Sequence, residues 1–382
     1  ALLLTSCTEK TPPQEYYNTE EGCMLGNTHY QHMTAMDIQL WNPAWDSLME
    51  GLCRDPLCSH DSTDSLCPSS TNLWLKTVVT DGEKLYINAL NPLLTDESAT
   101  MYRQIFSVNQ DGSDFELLHT YDATGNSSPN MQYADGYLYF QQGYYNENYD
   151  PMEEHVSSDV QSSRFMRIPT SGGKAEAVLD EGLSIGTAFF VDGENYYLIT
   201  HDDNGVTQLD IMNPETKDVT ENVLPEAMGK VFEITVYSGK TWLTASDALY
   251  VKEKGSFTKV CEGKSGYTFG GGIWYIETAE PVYIGTKEMP TGAPGGETAP
   301  YDYYVEATTK ICRIDPDDYS ITEYVPSDDF DPEDTITISY ATDTAIRAGV
   351  MNGRKKYEDE NFGYSCLIGF ANGKLTIEKV YE

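Results

Sequence analysis

The feature that most restricts this chain is a turn-and-strand pattern that recurs about every 52 residues. One class of turn follows an opening strand, at Asp81-Gly82, Asp135-Gly136, Asp192-Gly193, Ser238-Gly239, Gly271-Gly272 and Thr342-Asp343. Near-copies of one strand come next, as in Leu85-Tyr86-Ile87, Leu138-Tyr139-Phe140 and Tyr196-Tyr197-Leu198. A second class of turn joins a later pair of strands, at Asp111-Gly112, Gly172-Gly173, Glu215-Thr216, Lys254-Gly255, Asp317-Asp318 and Asn372-Gly373. Gly and Asx supply the positive φ that two-residue hairpin loops need. Four strands joined by tight hairpins at a constant period predict an all-β fold, a β-propeller of four-stranded blades. Six units run from about Asn72 to Glu382, and the strand patterns at Ile38–Trp41 and Leu48–Leu52 read as the end of a seventh, with inner strands from residues 16–32. Seven blades is the expectation, with six plus an N-terminal elaboration as the alternative.

Composition narrows the partners. The 382 residues carry a formal net charge of −37, which excludes a phosphate-gripping nucleic-acid binder, since that needs a basic face. A hydrophobic content of 40%, with 28 Tyr, 12 Phe and 5 Trp, is ample for a core and excludes a disordered chain. No apolar run is long enough for a membrane-spanning helix.

The first residues give an address. Ala1-Leu2-Leu3-Leu4 reads as the tail of an apolar signal segment, and Leu4-Thr5-Ser6-Cys7 resembles the bacterial lipobox, whose Cys receives diacylglycerol. Residues 1–7 are therefore expected to end a signal peptide. Residues 8–21, with Pro12-Pro13, form a polar tether, and residues 22–382 form one propeller domain. Lipid on Cys7 would place the protein on the extracytoplasmic face of the bacterial cell membrane.

Cys53, Cys58, His60 and Cys67 follow a C-x4-C-x-H-x6-C pattern within the loop 53–67. Three sulfurs and an imidazole suit a structural zinc ion. A disulfide among the three cysteines is the competing reading for an exported chain, and free thiols a third. Cys261, Cys312 and Cys366 lie on or beside strands and read as small core residues.

The lipobox, the Asp-Gly turn repeats and the segment Leu52-Cys53-Arg54-Asp55-Pro56-Leu57-Cys58-Ser59-His60, with Cys67-Pro68, together resemble uncharacterised β-propeller lipoproteins of Gram-positive gut bacteria. Their repeats are similar to TolB-like propellers, so the resemblance implies an interaction platform.

Catalytic motifs are thin. Gly182-Leu183-Ser184-Ile185-Gly186 matches G-x-S-x-G, but no helix pattern follows to make a nucleophile elbow, and no catalytic residue is assigned. The acidic run Asp328–Asp334 lacks the residue order of an EF-type calcium loop and reads as a solvated loop. The connections at 89–101, 141–163, 277–304 and 352–363 read as long loops, where binding function concentrates. Tyr144, Tyr145, Tyr149 and Asp150 on one, and Tyr283, Tyr301 and Tyr303 on another, are the ligand-binding candidates. The expected function is a binding module for a glycan, peptide or protein partner, and the alternative is an extracellular hydrolase acting on a polymer.

Overall fold

The computed structural model describes residues 15–19, 22–33, 37–45, 50–60, 67–95, 101–122, 130–145, 161–183, 188–201, 207–221, 230–246, 248–262, 266–290, 298–358 and 361–381. Cys7, Tyr149 and Asp150 lie outside them. The architecture is an all-β propeller, and the chain divides into two compact units, Ala1–Val223 and Leu224–Glu382.

The first unit holds four consecutive antiparallel sheets. A five-stranded sheet comprises β1–β5 (Tyr16–Thr19, Gly22–Leu25, Thr28–Met33, Asp37–Trp41, Glu50–Gly51). Three four-stranded meanders follow in chain order. They are β6–β9 (Trp74–Thr80, Lys84–Thr95, Met101–Asn109, Glu116–Asp122), β10–β13 (Met131–Ala134, Tyr137–Tyr145, Gln161–Pro169, Glu176–Leu183) and β14–β17 (Ala188–Val191, Tyr196–His201, Thr207–Met212, Val219–Thr220). Both faces of a blade are covered. On β7, Leu85, Ile87 and Ala89 join one apolar cluster with Cys23, Ile38 and Leu40, while Tyr86 joins another with Leu138 and Phe140. Strands buried on both faces read as near-continuous apolar runs, which is the pattern seen in the sequence.

The second unit opens with the four-stranded β18–β21 (Val231–Tyr237, Lys240–Ala245, Ala248–Glu253, Ser256–Glu262). Next come β22 (Thr268–Phe269), β23 (Ile273–Thr278), the hairpin β24–β25 (Val282–Pro290, Thr298–Val305), β26 (Thr308–Ile314) and β27 (Ile321–Pro326). The remaining elements are β28 (Asp334–Ala341), β29 (Ala345–Asn352), the short helix α1 (Gly353–Tyr357), β30 (Gly363–Ala371) and β31 (Lys374–Tyr381). Eight of these strands form one sheet in the order β22-β23-β26-β27-β31-β30-β29-β28. Its two four-stranded halves meet where β27 pairs in parallel with β31, through Val325 N–H to Gly373 O at 3.0 Å and Ser327 N–H to Leu375 O at 3.1 Å.

The blade count is thereby corrected. Five blade sheets stand alone among the described residues, where seven or six were expected. Turn spacing fixes strands and hairpins, but it does not report an edge-to-edge bond between sheets, and this bond merges the last two repeats. A second correction concerns the long connections. Residues 277–304 are not an open loop, because most of them form β24–β25. The strands around 89–101 and 141–163 also run on past the blade, with Thr95 paired to Met101 and Tyr145 to Gln161.

Candidate functional site

The Cys/His segment joins β5 to β6. Asp55 starts its first turn: its Oδ1 accepts the Leu57 N–H at 2.9 Å and its carbonyl accepts the Cys58 N–H at 3.1 Å. His60 then takes the left-handed conformation at φ 60°. Its carbonyl is held by the Thr71 N–H at 2.7 Å and by Thr71 Oγ1 at 3.2 Å. Cys53 is fixed by its N–H donating to Ser69 Oγ at 3.0 Å, and Cys67 by its carbonyl accepting the Ser70 N–H at 2.9 Å. Behind the loop, Lys76 is 1% exposed and donates to the carbonyls of Pro68 and Ser70 at 3.2 and 2.8 Å. Backbone bonds thus set each ligand-bearing residue before any metal is considered.

The sequence grouped four residues, and the structure brings all four together. Their ligand atoms lie within 4.8 Å of one another, with His60 Nδ1 at 3.4 Å from Cys67 Sγ. A tetrahedral shell with Zn–S of about 2.3 Å and Zn–N of about 2.0–2.1 Å has donor–donor edges of about 3.5–3.8 Å. The donor set and its spacing fit such an ion. All seven described cysteines are free thiols in this structure. The His60 N–H donates toward Cys58, and this, with bonds from the other two thiols, holds the Cys58 thiol below its ordinary range. Burial pushes the Cys67 thiol up instead. Cys312 and Cys366 are buried as the sequence predicts, whereas Cys261 is partly exposed; Cys23 is buried as well.

The second feature is the hairpin β24–β25, a two-stranded sheet of its own. An isolated hairpin is marginal in water, and this one is braced by α1. Tyr357 of α1 packs edge-to-face on Tyr303 at 5.5 Å, and its hydroxyl lies over Gly285. A Cβ at Gly285, where φ is +152°, would sit 2.6 Å from that oxygen, so a larger residue would force Tyr357 aside. Lys287 Nζ lies over the Tyr357 ring at 4.9 Å from its centroid. Helix α1 is in turn clasped to the acidic run. Arg354 reaches Glu333 through Nε and Nη2 at 2.6 and 2.7 Å, and Lys355 pairs with Asp331 at 3.4 Å. Asn352 donates to Asp334 at 3.0 Å. Asp328, Asp329 and Asp331 are exposed, in keeping with the solvated-loop reading, while Phe330 and Asp334 are buried and anchor the run beneath α1.

Register separates the tyrosines. Tyr303 is 6% exposed on the face that meets α1, so its ring is a packing element. Tyr283 and Tyr304 are directly paired across the strands on the opposite face and are 55% and 50% exposed. Tyr301, 53% exposed, packs edge-to-face on Tyr303. Tyr144 and Tyr145 close β11, paired to Ser162 and Gln161. Gly182 and Leu183 end β13, and the rest of the G-x-S-x-G segment lies outside the described residues. Reading the sequence passed over Asp302, Thr286, Thr71 and Lys76, because polar residues in strands and turns carry no motif.

Known proteins place the fold and little else. A prolyl endopeptidase superposes with a TM-score of 0.51 at 10% identity, over 97% of this chain and 49% of its own length. A puromycin hydrolase gives 0.48 at 10% identity over 98% and 56%. The β-propeller domain of a trilobed protease from Pyrococcus furiosus gives 0.42 at 13% identity over 66% and 72%. The chain spans about half the length of the first two. At such identities the likeness is one of fold alone. No protein-family model matches the chain, and no curated protein matches it.

Proposed function

We propose that this protein is an interaction module, a propeller that displays the β24–β25 hairpin to a glycan, peptide or protein partner. The observation that carries the reading is the braced hairpin itself. Tyr283, Tyr301 and Tyr304 stay half-exposed while Tyr303, Tyr357 and the Glu333–Arg354 pair hold their backbone in place. Large aromatic surface on a rigid mount suits recognition, since little is lost in ordering it. Glycan and peptide arrays should be probed with wild type and with the triple variant Tyr283→Ser, Tyr301→Ser, Tyr304→Ser. Tyr303 is retained to preserve packing. Capture of the same ligand at equal strength by the folded triple variant would move the site elsewhere on the propeller.

The Cys53, Cys58, His60 and Cys67 cluster is proposed to hold a structural zinc ion, which would replace a hydrophobic core for the loop between β5 and β6. Support comes from the convergence of four soft donors. Metal analysis of wild type and Cys58→Ser, with intact-mass measurement with and without reductant, tests it. A mass gain on reduction with no bound zinc would instead show a disulfide. Display on the extracytoplasmic face through lipid on Cys7 is proposed from the lipobox, and Cys7→Ala should abolish lipid labelling. No helix among the described residues is long and apolar enough to cross a membrane.

A further inference from the structure

We infer that the outer face of β24–β25 binds an organic cation, with an ammonium or guanidinium group seated on the Tyr283–Tyr304 pair and Asp302 as its counter-ion. This rests on the reading of the hairpin as the recognition surface and names what that surface takes.

Three side chains on this face are tied in one direction. Thr286 Oγ1 donates to Asp302 Oδ1 at 2.6 Å, so the 2.5 Å contact between Tyr283 and Thr286 has the tyrosine hydroxyl as donor. The chain Tyr283 O–H to Thr286 O–H to Asp302 ends on the carboxylate and locks the Tyr283 ring relative to it. Asp302 is two residues from Tyr304 on the same strand face, and Tyr304 lies opposite Tyr283. The two rings meet edge-to-face, with centroids 5.7 Å apart and planes at 63°. Such a pair presents one ring face and one edge, not the coplanar platform on which a sugar ring stacks. A ring face carries negative charge density and attracts cations.

The rest of the chain shows the same preference. Arg167 lies over Tyr137 at 4.5 Å, Lys240 over Tyr319 at 4.5 Å, and Lys287 over Tyr357 at 4.9 Å on the inner side of this hairpin. Among the described residues, no cation of the chain covers Tyr283 or Tyr304. An aromatic pair beside a carboxylate, on a chain of net charge −37, is therefore left for a cation from outside.

The experiment uses the full chain and three probes: a short peptide alternating Gly and Lys, the same peptide acetylated at every Lys Nζ, and choline. The two cationic probes separate a peptide-borne ammonium from a free quaternary amine. Affinities are measured for wild type, Asp302→Asn, Tyr304→Leu and the triple serine variant, at low and high salt. Wild type should bind at least one cationic probe, and Asp302→Asn and Tyr304→Leu should each weaken it by about tenfold. Acetylation should abolish most of the peptide's binding. Equal binding by every variant would show a diffuse response to the acidic surface and overturn the inference, as would failure of both cations to bind. A neutral peptide or glycan whose capture is lost only in the triple variant would also overturn it, while leaving the hairpin as the recognition surface.

Discussion

The hydroxyl of Tyr86 donates to Asp81 Oδ2 at 2.6 Å, closing back onto the turn that begins its own hairpin. The other carboxylate oxygen of Asp81 accepts the backbone N–H groups of Glu83 and Lys84 at 2.9 and 2.8 Å. Tyr197 makes the same bond to Asp192, whose Oδ1 takes the N–H groups of Glu194 and Asn195. One side chain thus satisfies a turn and ties down the following strand in two separate blades. Tyr86→Phe should lower stability by about 1 kcal/mol, and Asp81→Ala, which strips acceptors from three donors, by about 1–3 kcal/mol. Urea midpoints at neutral pH would check both, and an unchanged midpoint in Asp81→Ala would remove the turn from the stabilising set.

The loop partners of the Cys/His cluster make a finer test than its ligands. Ser69→Ala leaves the four donors in place but removes the acceptor of the Cys53 N–H. Zinc affinity, measured by competition with a chromogenic chelator, should fall by about tenfold while stoichiometry is kept. Loss of stoichiometry would mean that Ser69 supports the fold of the loop and not the aim of Cys53.

Acid should release the brace under the hairpin. The Glu333 N–H donates to Asp331, and with Lys355 nearby this holds the Asp331 carboxyl below its ordinary 3.8. Arg354 holds Glu333 below its ordinary 4.5. Both folded values are depressed, so the stability they contribute is present above the ordinary values and is lost as pH falls through the lowered ones. Arg354→Met should lower the melting temperature modestly at pH 7, and its melting curve should converge on that of wild type as pH falls through the lowered Glu333 value. Curves that stay apart in acid would assign the effect to packing.

Gly112 and Gly136 occupy equivalent backbone conformations, at φ +83° and +78°, in different surroundings. A Cβ at Gly112 would lie 2.2 Å from the carbonyl oxygen of Leu52, whereas nothing is within 4 Å of one at Gly136. Gly136→Ala should therefore cost about 1 kcal/mol from backbone strain alone. Gly112→Ala should cost at least twice as much, because backbone must move, and similar denaturation midpoints would refute the difference.

Local chemistry was legible in the sequence wherever one short segment decides it. The Asp-Gly turns gave the hairpins, and C-x4-C-x-H-x6-C gave a cluster that does converge. Pairings between distant segments were not legible. Nothing around Val325 announces that its strand will bond to Lys374, and so the blade count was missed. Tyr303 and Tyr304 are neighbours with identical side chains, and only strand register turns one onto α1 and the other outward. The Gly/Pro-rich sequence at 290–296 drew the whole stretch 277–304 into a loop reading, although Val282–Pro290 and Thr298–Val305 are strands.

The parallel bond between β27 and β31 also bears on the order in which the sheet is assembled. As the chain grows, β27 pairs at once with β26, but its other edge faces solvent until Lys374–Tyr381 has been made. Through that interval β28, β29 and β30 can zip onto one another, while an open strand edge waits for a partner from a distant stretch of chain. That edge, carrying Val325 at its exposed rim, is where a growing or partly unfolded molecule is most open to pairing with the wrong strand.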